Sequence, residues 1–156
     1  MIIKKGKHYT SIFYKFPWIH LFKRTFNKKF VFTDSCKYKF IEHPEDQFDA
    51  NKLFGYHSGN IHKNSARFGW RYDDRTKMIE LSSYVYINGE RKIKALQQIP
   101  LNKEVEATLV FEKTKVRWLI NGVVMNTIDL SLRSPLFVSG LYFGGNRTCD
   151  HDIIIN

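Results

Sequence analysis

The sequence predicts an all-β fold of antiparallel sheets, a sandwich or a barrel. Two turn signals and one pervasive pattern predict it. Asn88-Gly89 and Asn121-Gly122 each lie between two runs of alternating apolar and polar residues. Asn-Gly suits the type I′ hairpin turn, whose two central residues both need positive φ. The same alternation recurs in short runs, separated by turn residues, from about residue 29 to the end.

The elements follow in order. Strands are expected near 29–33, 37–41, 52–57, 66–72, 79–87, 90–98, 105–111, 115–121, 123–129, 136–143 and 151–155. Successive strand side chains point to opposite faces, which assigns a core side. On 79–87, Ile79, Leu81, Val85 and Ile87 oppose Glu80, Ser82, Tyr84 and Tyr86. On 66–72, Arg67 and Arg71 share a face opposite Phe68, Trp70 and Tyr72. On 105–111, Val105, Ala107, Leu109 and Phe111 form the apolar face, and on 115–121 Val116, Trp118 and Ile120 do. Half-polar strands of this kind fit sheets with one side on the core and one side wet. Loops are expected over 43–51, 58–65, 73–76 and 144–150. A short helix is expected over 17–26, with Pro17 at its first position and Trp18, Leu21, Phe22 and Phe26 on one side. A buried irregular arm is the alternative there.

Charge is distributed unevenly. Residues 1–40 hold ten Lys/Arg against the single acid Asp34, a net +9, whereas the other 116 residues hold fifteen bases and fourteen acids. The same forty residues carry eleven of the twenty-four aromatics. The expected organisation is a basic, aromatic N-terminal arm over 1–28 and one β-sandwich domain over 29–156. A chain of 156 residues can bury a core without metal or disulfide. The first residues lack an uninterrupted apolar stretch and a small-residue cleavage site, so no signal peptide is expected, and synthesis is assigned to the cytoplasm. No apolar run reaches the length of a membrane span. Cys36 and Cys149 are read as free thiols, with a bridge between the first and last core strands as the alternative.

The stretch TLVFEKTKVRWLINGVVMNTIDL (108–130) is a strand, a turn, a strand with a central Trp, then Asn-Gly and another strand. It resembles the late strands of concanavalin-A-like jelly rolls, among them laminin-G-type modules and laminarinase-type glucanases. The ending LYFGGNRTCDHDIIIN is similar to the closing strand of such domains. Residues 52–98 also resemble small uncharacterised bacterial and phage proteins with the same hairpin and Gly-Gly-Asn ending. These resemblances imply an antiparallel jelly-roll β-sandwich. The second implies a phage-associated structural or accessory role, with the virion as its location.

Candidate chemistry is sparse. Two-carboxylate glycoside hydrolysis needs paired acids flanking the bond. The glucanase pattern E-x-D-x-x-E is absent, and Glu104 with Glu106 reads as a solvated pair at a strand start. No nucleophile, phosphate-loop or dinucleotide motif occurs. The chain is therefore expected to bind rather than catalyse, with no cofactor. Candidate metal ligands are His57, His62, Asp150 and Asp152, with Cys149 and His151 as further zinc donors. A calcium site would use Asn146, Asp150 and Asp152. The better candidate is a sugar-binding concave face formed by Arg67, Arg71, Tyr84 and Tyr86. His57, Asn64, Asn146 and His151 would flank it in loops. Lysines beside aromatics also suit nucleic acid, but so many rings favour burial. The arm is read instead as a protein-docking or homo-oligomer element through Phe13, Tyr14, Phe16, Trp18, Phe22, Lys23 and Arg24. Assembly is the leading expectation and glycan recognition the alternative.

Overall fold

The computed structural model describes residues 1–10, 19–20 and 24–156. The described residues form twelve strands: β1 (Ile2–Ile3), β2 (Ile19–His20), β3 (Thr25–Val31), β4 (Asn51–His57), β5 (Ser65–Asp73), β6 (Met78–Ile87), β7 (Glu90–Pro100), β8 (Glu104–Phe111), β9 (Lys115–Ile120), β10 (Val123–Asp129), β11 (Leu136–Ser139) and β12 (Ile153–Ile154). They make a six-stranded sheet in the order β2-β11-β4-β5-β6-β7, a four-stranded sheet β10-β9-β8-β3 and the short pair β1-β12. Every pairing is antiparallel. The all-β, jelly-roll reading therefore holds.

Both hairpins form as the turns dictate. Asn88 and Gly89 have φ of 52° and 91°, and Asn121 and Gly122 have 49° and 79°. The β6–β7 hairpin registers Ile87 against Glu90, and the β9–β10 hairpin registers Ile120 against Val123.

The core lies between the two larger sheets, on the faces that alternation assigns. Ala66, Phe68, Trp70, Ile79, Leu81 and Val85 are fully buried on the six-stranded side. Val105, Ala107, Leu109, Val116, Trp118 and Ile120 meet them from the other sheet. Burial at this scale supplies the main stabilisation, roughly 1.5–3 kcal/mol per large apolar side chain before entropy is charged against it. Hydrogen bonds also join the sheets: Trp118 Nε1, fully buried, donates to the Arg67 carbonyl at 3.0 Å, and Asn126 Nδ2 donates to Ser83 Oγ at 2.9 Å.

Four expected elements differ. Residues 37–41 do not form a strand. The Gln47 side chain accepts from Phe40 N at 3.0 Å and donates to the carbonyls of Tyr38 and Tyr72, so a side chain replaces a neighbouring strand. The run 136–143 stops at Ser139, and 151–155 shortens to β12. The helix over 17–26 is not found where it can be checked. Ile19–His20 is extended and pairs with Leu136 and Phe137 of β11, and Thr25 opens β3. Pairing satisfies a sheet edge that would otherwise stay open.

The division at residue 28 falls inside β3. Phe26 and Phe30 both face the core, at 3% and 2% exposure, so the two sides of that boundary are one strand. Further upstream, β1 pairs with β12 and buries Ile3 completely. Described parts of the N-terminal segment thus pack on their own chain. Of the proposed docking residues, Phe13, Tyr14, Phe16, Trp18, Phe22 and Lys23 lie outside the described residues. Arg24 donates to Leu132 O at 3.3 Å and to Ser134 Oγ at 2.9 Å. Cys36 and Cys149 are free and buried. Among the described residues, no helix is long and apolar enough to cross a membrane.

Trp118→Phe removes the N–H that the Arg67 carbonyl accepts and leaves part of the indole's buried volume empty. We expect a loss of about 1–3 kcal/mol in urea unfolding. An unchanged midpoint would show that the inter-sheet hydrogen bond contributes nothing.

Candidate functional site

The outer face of the six-stranded sheet carries a cavity of about 400 Å³. Its floor comes from β4, β5 and β6. Tyr84 registers with Arg67, so both project from the same face, and the Arg67 guanidinium lies 4.5 Å from the Tyr84 ring centre. Arg67 is 5% exposed, and its other neighbour across the sheet is Gly55. A Cβ at Gly55 would sit 2.3 Å from the Ala66 carbonyl and 2.4 Å from Arg67 Cγ. Glycine is therefore required for the arginine stem to lie flat across the sheet.

Lys52 completes the floor. A register shift between Lys52 and Phe54 lets Leu53 and Phe54 both be buried while Lys52 turns outward. Its ammonium sits 5.1 Å from the Tyr84 ring centre and 4.9 Å from that of Tyr142. Burial pushes its pKa down to about 8, with the charges of Arg67 and Arg91 adding to the effect and Asp49 opposing it. Cations over aromatic faces are favourable, but two cations on one ring repel.

The walls come from loops and from the N-terminus. His57, His62 and Ile61 line one side. His57 donates from Nδ1 to Gly59 O at 2.7 Å and stacks on Phe137. Burial holds its imidazole below the ordinary value, and Arg67 acts in the same direction. Val138, Ser139, Gly140 and Tyr142 line the opposite side, with Tyr9 beside them. Tyr9 bridges Tyr142 through the backbone, and their rings meet edge to face at 4.9 Å. His8 stacks on Tyr142 at 5.2 Å and holds Phe143 O at 2.7 Å through Nδ1. The N-terminal segment therefore builds part of the cavity wall.

The residues proposed from sequence divide into two groups. Arg67, Tyr84 and His57 line the cavity together, and Tyr86 adjoins it, 5.7 Å below the Arg67 guanidinium. His62 also lines it and meets Tyr86 edge-on. The others lie elsewhere. Arg71 is four residues, about 13 Å, along β5, and its guanidinium holds both Glu80 oxygens at 2.9 and 3.0 Å. It is a structural ion pair against Phe48. Asn64 accepts from Asn88 N at 3.2 Å and ties the 58–65 loop to the hairpin turn. Asn146 lies in a separate surface hollow with Lys39, Phe40 and Asp150. His151 holds Ser35 O through Nε2 at 2.8 Å and Asp150 through Nδ1 at 2.6 Å.

Metal binding fares differently at different places. Cys149, Asp150 and His151 bring one donor atom each within 4.8 Å of one another. Both His151 nitrogens, however, already face protein acceptors, Asp150 Oδ1 and Ser35 O, so a metal would have to displace one of these contacts. Burial pushes the Cys149 thiol up to about 11, which disfavours the thiolate a metal takes. Asp152 is held by Lys4 Nζ at 2.7 Å and by Lys5 N, so it does not join Asp150 in a calcium site. The acids Glu104 and Glu106 lie on β8 of the other sheet, with Glu104 paired to Lys29.

Sequence reasoning missed Lys52, Tyr142 and Tyr9. Period-two alternation misplaces Lys52 because of the register shift beside it. Tyr142 follows the end of β11, and Tyr9 belonged to the segment assigned to docking.

No protein-family model matches the chain, and no curated protein matches it. Solved structures do match in shape. The alginate lyase AlyC3 superposes with a TM-score of 0.57 at 12% identity, covering 84% of this chain and 60% of the lyase. The carbohydrate-binding module CBM66 from Bacillus subtilis gives 0.42 at 11% identity, covering 85% of this chain and 71% of its own. A heptameric SAP-like pentraxin from Limulus polyphemus gives 0.47 at 11%, covering 97% and 71%. At 12% identity the likeness to the lyase shows the fold alone, a concanavalin-A-like jelly-roll sandwich. This chain spans about 60% of the lyase's length.

The lowered Lys52 pKa has a measurable signature. Between about 8 and 10.5 the unfolded chain binds this proton more tightly than the folded one. Folding stability attributable to Lys52 therefore rises with pH across that window, and the cost of holding its charge is fully present below 8. Titration of ¹³C-labelled lysine should show one Cε resonance moving near pH 8 that is missing in Lys52→Met. A Lys52 resonance that titrates near 10.5 would contradict the desolvated site.

Proposed function

We propose that the chain is a carbohydrate-recognition module that takes glycan in the outer-face cavity of the six-stranded sheet. One observation carries the reading. A cavity of about 400 Å³ combines exposed ring surface from Tyr9 and Tyr142 with convergent polar groups from Lys52, Arg67, His57 and Ser139. Small-ligand sites are apolar concavities of roughly 300–1,000 Å³ with a few placed polar groups. Sugar rings fit that description, because their C–H faces lie on aromatic rings while their hydroxyls reach polar side chains.

The fold supports the reading without deciding it. The alginate lyase has a name that ties it to a polysaccharide, and it shares this architecture. Folds host many functions, so the argument rests on the cavity. The assembly role expected from sequence gains no support of this kind. The described parts of the N-terminal segment pair with β12, β11 and β8 of the same chain.

A glycan array probed with the wild-type chain should give a confined set of hits. Tyr142→Ala should lower affinity for them about tenfold or more. Arg71→Ala should leave them intact, although it breaks the Glu80 pair. A blank array, or hits lost equally in both variants, would sink the proposal.

A further inference from the structure

Resting on that reading, we propose that the ligand is an anionic glycan, whose sugar-borne carboxylate or sulfate is held by Lys52 and Arg67. The inference comes from the charge of the cavity. Two cations stand over its floor, and no carboxylate is found among the described residues that line it. The Lys52 ammonium makes one hydrogen bond among the described residues, to Gly144 O at 3.4 Å. Among the described residues no acid comes within ion-pair distance of its ammonium. Arg67 is buried against Tyr84 and Tyr86 beside it.

This placement is costly in the free protein. A desolvated cation beside a second cation is destabilised twice, by lost hydration and by repulsion. Several other bases are paired: Lys4 with Asp152, Lys29 with Glu104, Arg71 with Glu80 and Arg117 with Glu112. Lys28, over the Phe54 ring, is desolvated without an acid at ion-pair distance among the described residues, but it has no second cation beside it there. Only a negative group offsets both terms at Lys52, and charge-assisted hydrogen bonds to it are short and strong. The rings of Tyr84 and Tyr142 beside the ammonium would carry the sugar. A neutral sugar would leave the ammonium with only Gly144 O, the two rings beside it and Asp49, which lies beyond ion-pair distance.

Carboxylate and sulfate share this chemistry, and separate probes distinguish them. Calorimetry would compare an oligogalacturonate, its methyl ester, a sulfated galactan oligomer and a neutral glucan oligomer. The acid or the sulfated oligomer should bind, and the ester should bind at least about tenfold more weakly than the acid if the carboxylate is the group recognised. Lys52→Gln should remove that preference, Lys52→Arg should keep it, and Lys103→Gln, an exposed site of equal charge change, should leave it alone. Thermal unfolding of each variant separates folding defects from binding defects. If the ester and the neutral oligomer bind as well as the acid, glycan recognition stands and the charge inference is wrong. If no sugar binds, glycan recognition itself is wrong. Equal losses in Lys52→Gln and Lys103→Gln would mean general attraction to a chain of net charge +10 and overturn the proposal. Binding of a single-stranded oligonucleotide lost on Lys52→Gln, with no sugar bound, would overturn it in favour of nucleic acid.

Discussion

The hydrogen bond from Trp118 Nε1 to the Arg67 carbonyl joins what the fold needs to what the site needs. Trp118 is fully buried in the four-stranded sheet, and the carbonyl it holds belongs to the centre of the six-stranded one. The backbone of residue 67 is thus fixed from the core side while its side chain floors the cavity on the other face. Gly55 clears the space the stem needs, and Tyr84 carries the guanidinium. Position of the cavity floor is therefore inherited from packing of the core, while loops and the N-terminal segment add the walls. A buried donor and acceptor that satisfy each other cost far less than either left alone.

Much of the fold was legible because strands declare themselves locally. Asn88-Gly89 and Asn121-Gly122 fix two turns, and alternation fixes the faces of β5, β6, β8 and β9 without further information. The illegible parts depend on tertiary partners. Residues 37–41 look like a strand, yet the partner that satisfies them is Gln47. Ile19–His20 look helical in context, yet the open edge of β11 captures them.

The same division holds for the site. Arg67, Tyr84 and Tyr86 could be found because they face away from apolar neighbours in a regular strand. Arg71 shares their parity and still stands apart, since parity says nothing about Glu80 directly opposite. Lys52 escaped because one register shift reverses the parity around it. Tyr9 and Tyr142 escaped because residues 133 positions apart in sequence meet only through folding. The basic leader reads differently as well. Lys4, Lys29, Lys37 and Lys39 each pair with an acid of the same chain, in exposed pairs that contribute little stability. What the described residues of that segment add to the molecule is strands and part of a cavity wall.

The central claim is that ligand enters the outer-face cavity over Arg67 and Tyr84. Amide chemical-shift mapping of the ¹⁵N-labelled chain, titrated with an oligosaccharide that it binds, tests this most directly. The account predicts the largest shifts at Lys52, His57, Arg67, Tyr84 and Tyr142, with β9 and β10 unmoved. Shifts centred on the hollow around Phe40 and Asn146, or on the outer face of β9 and β10, would contradict it.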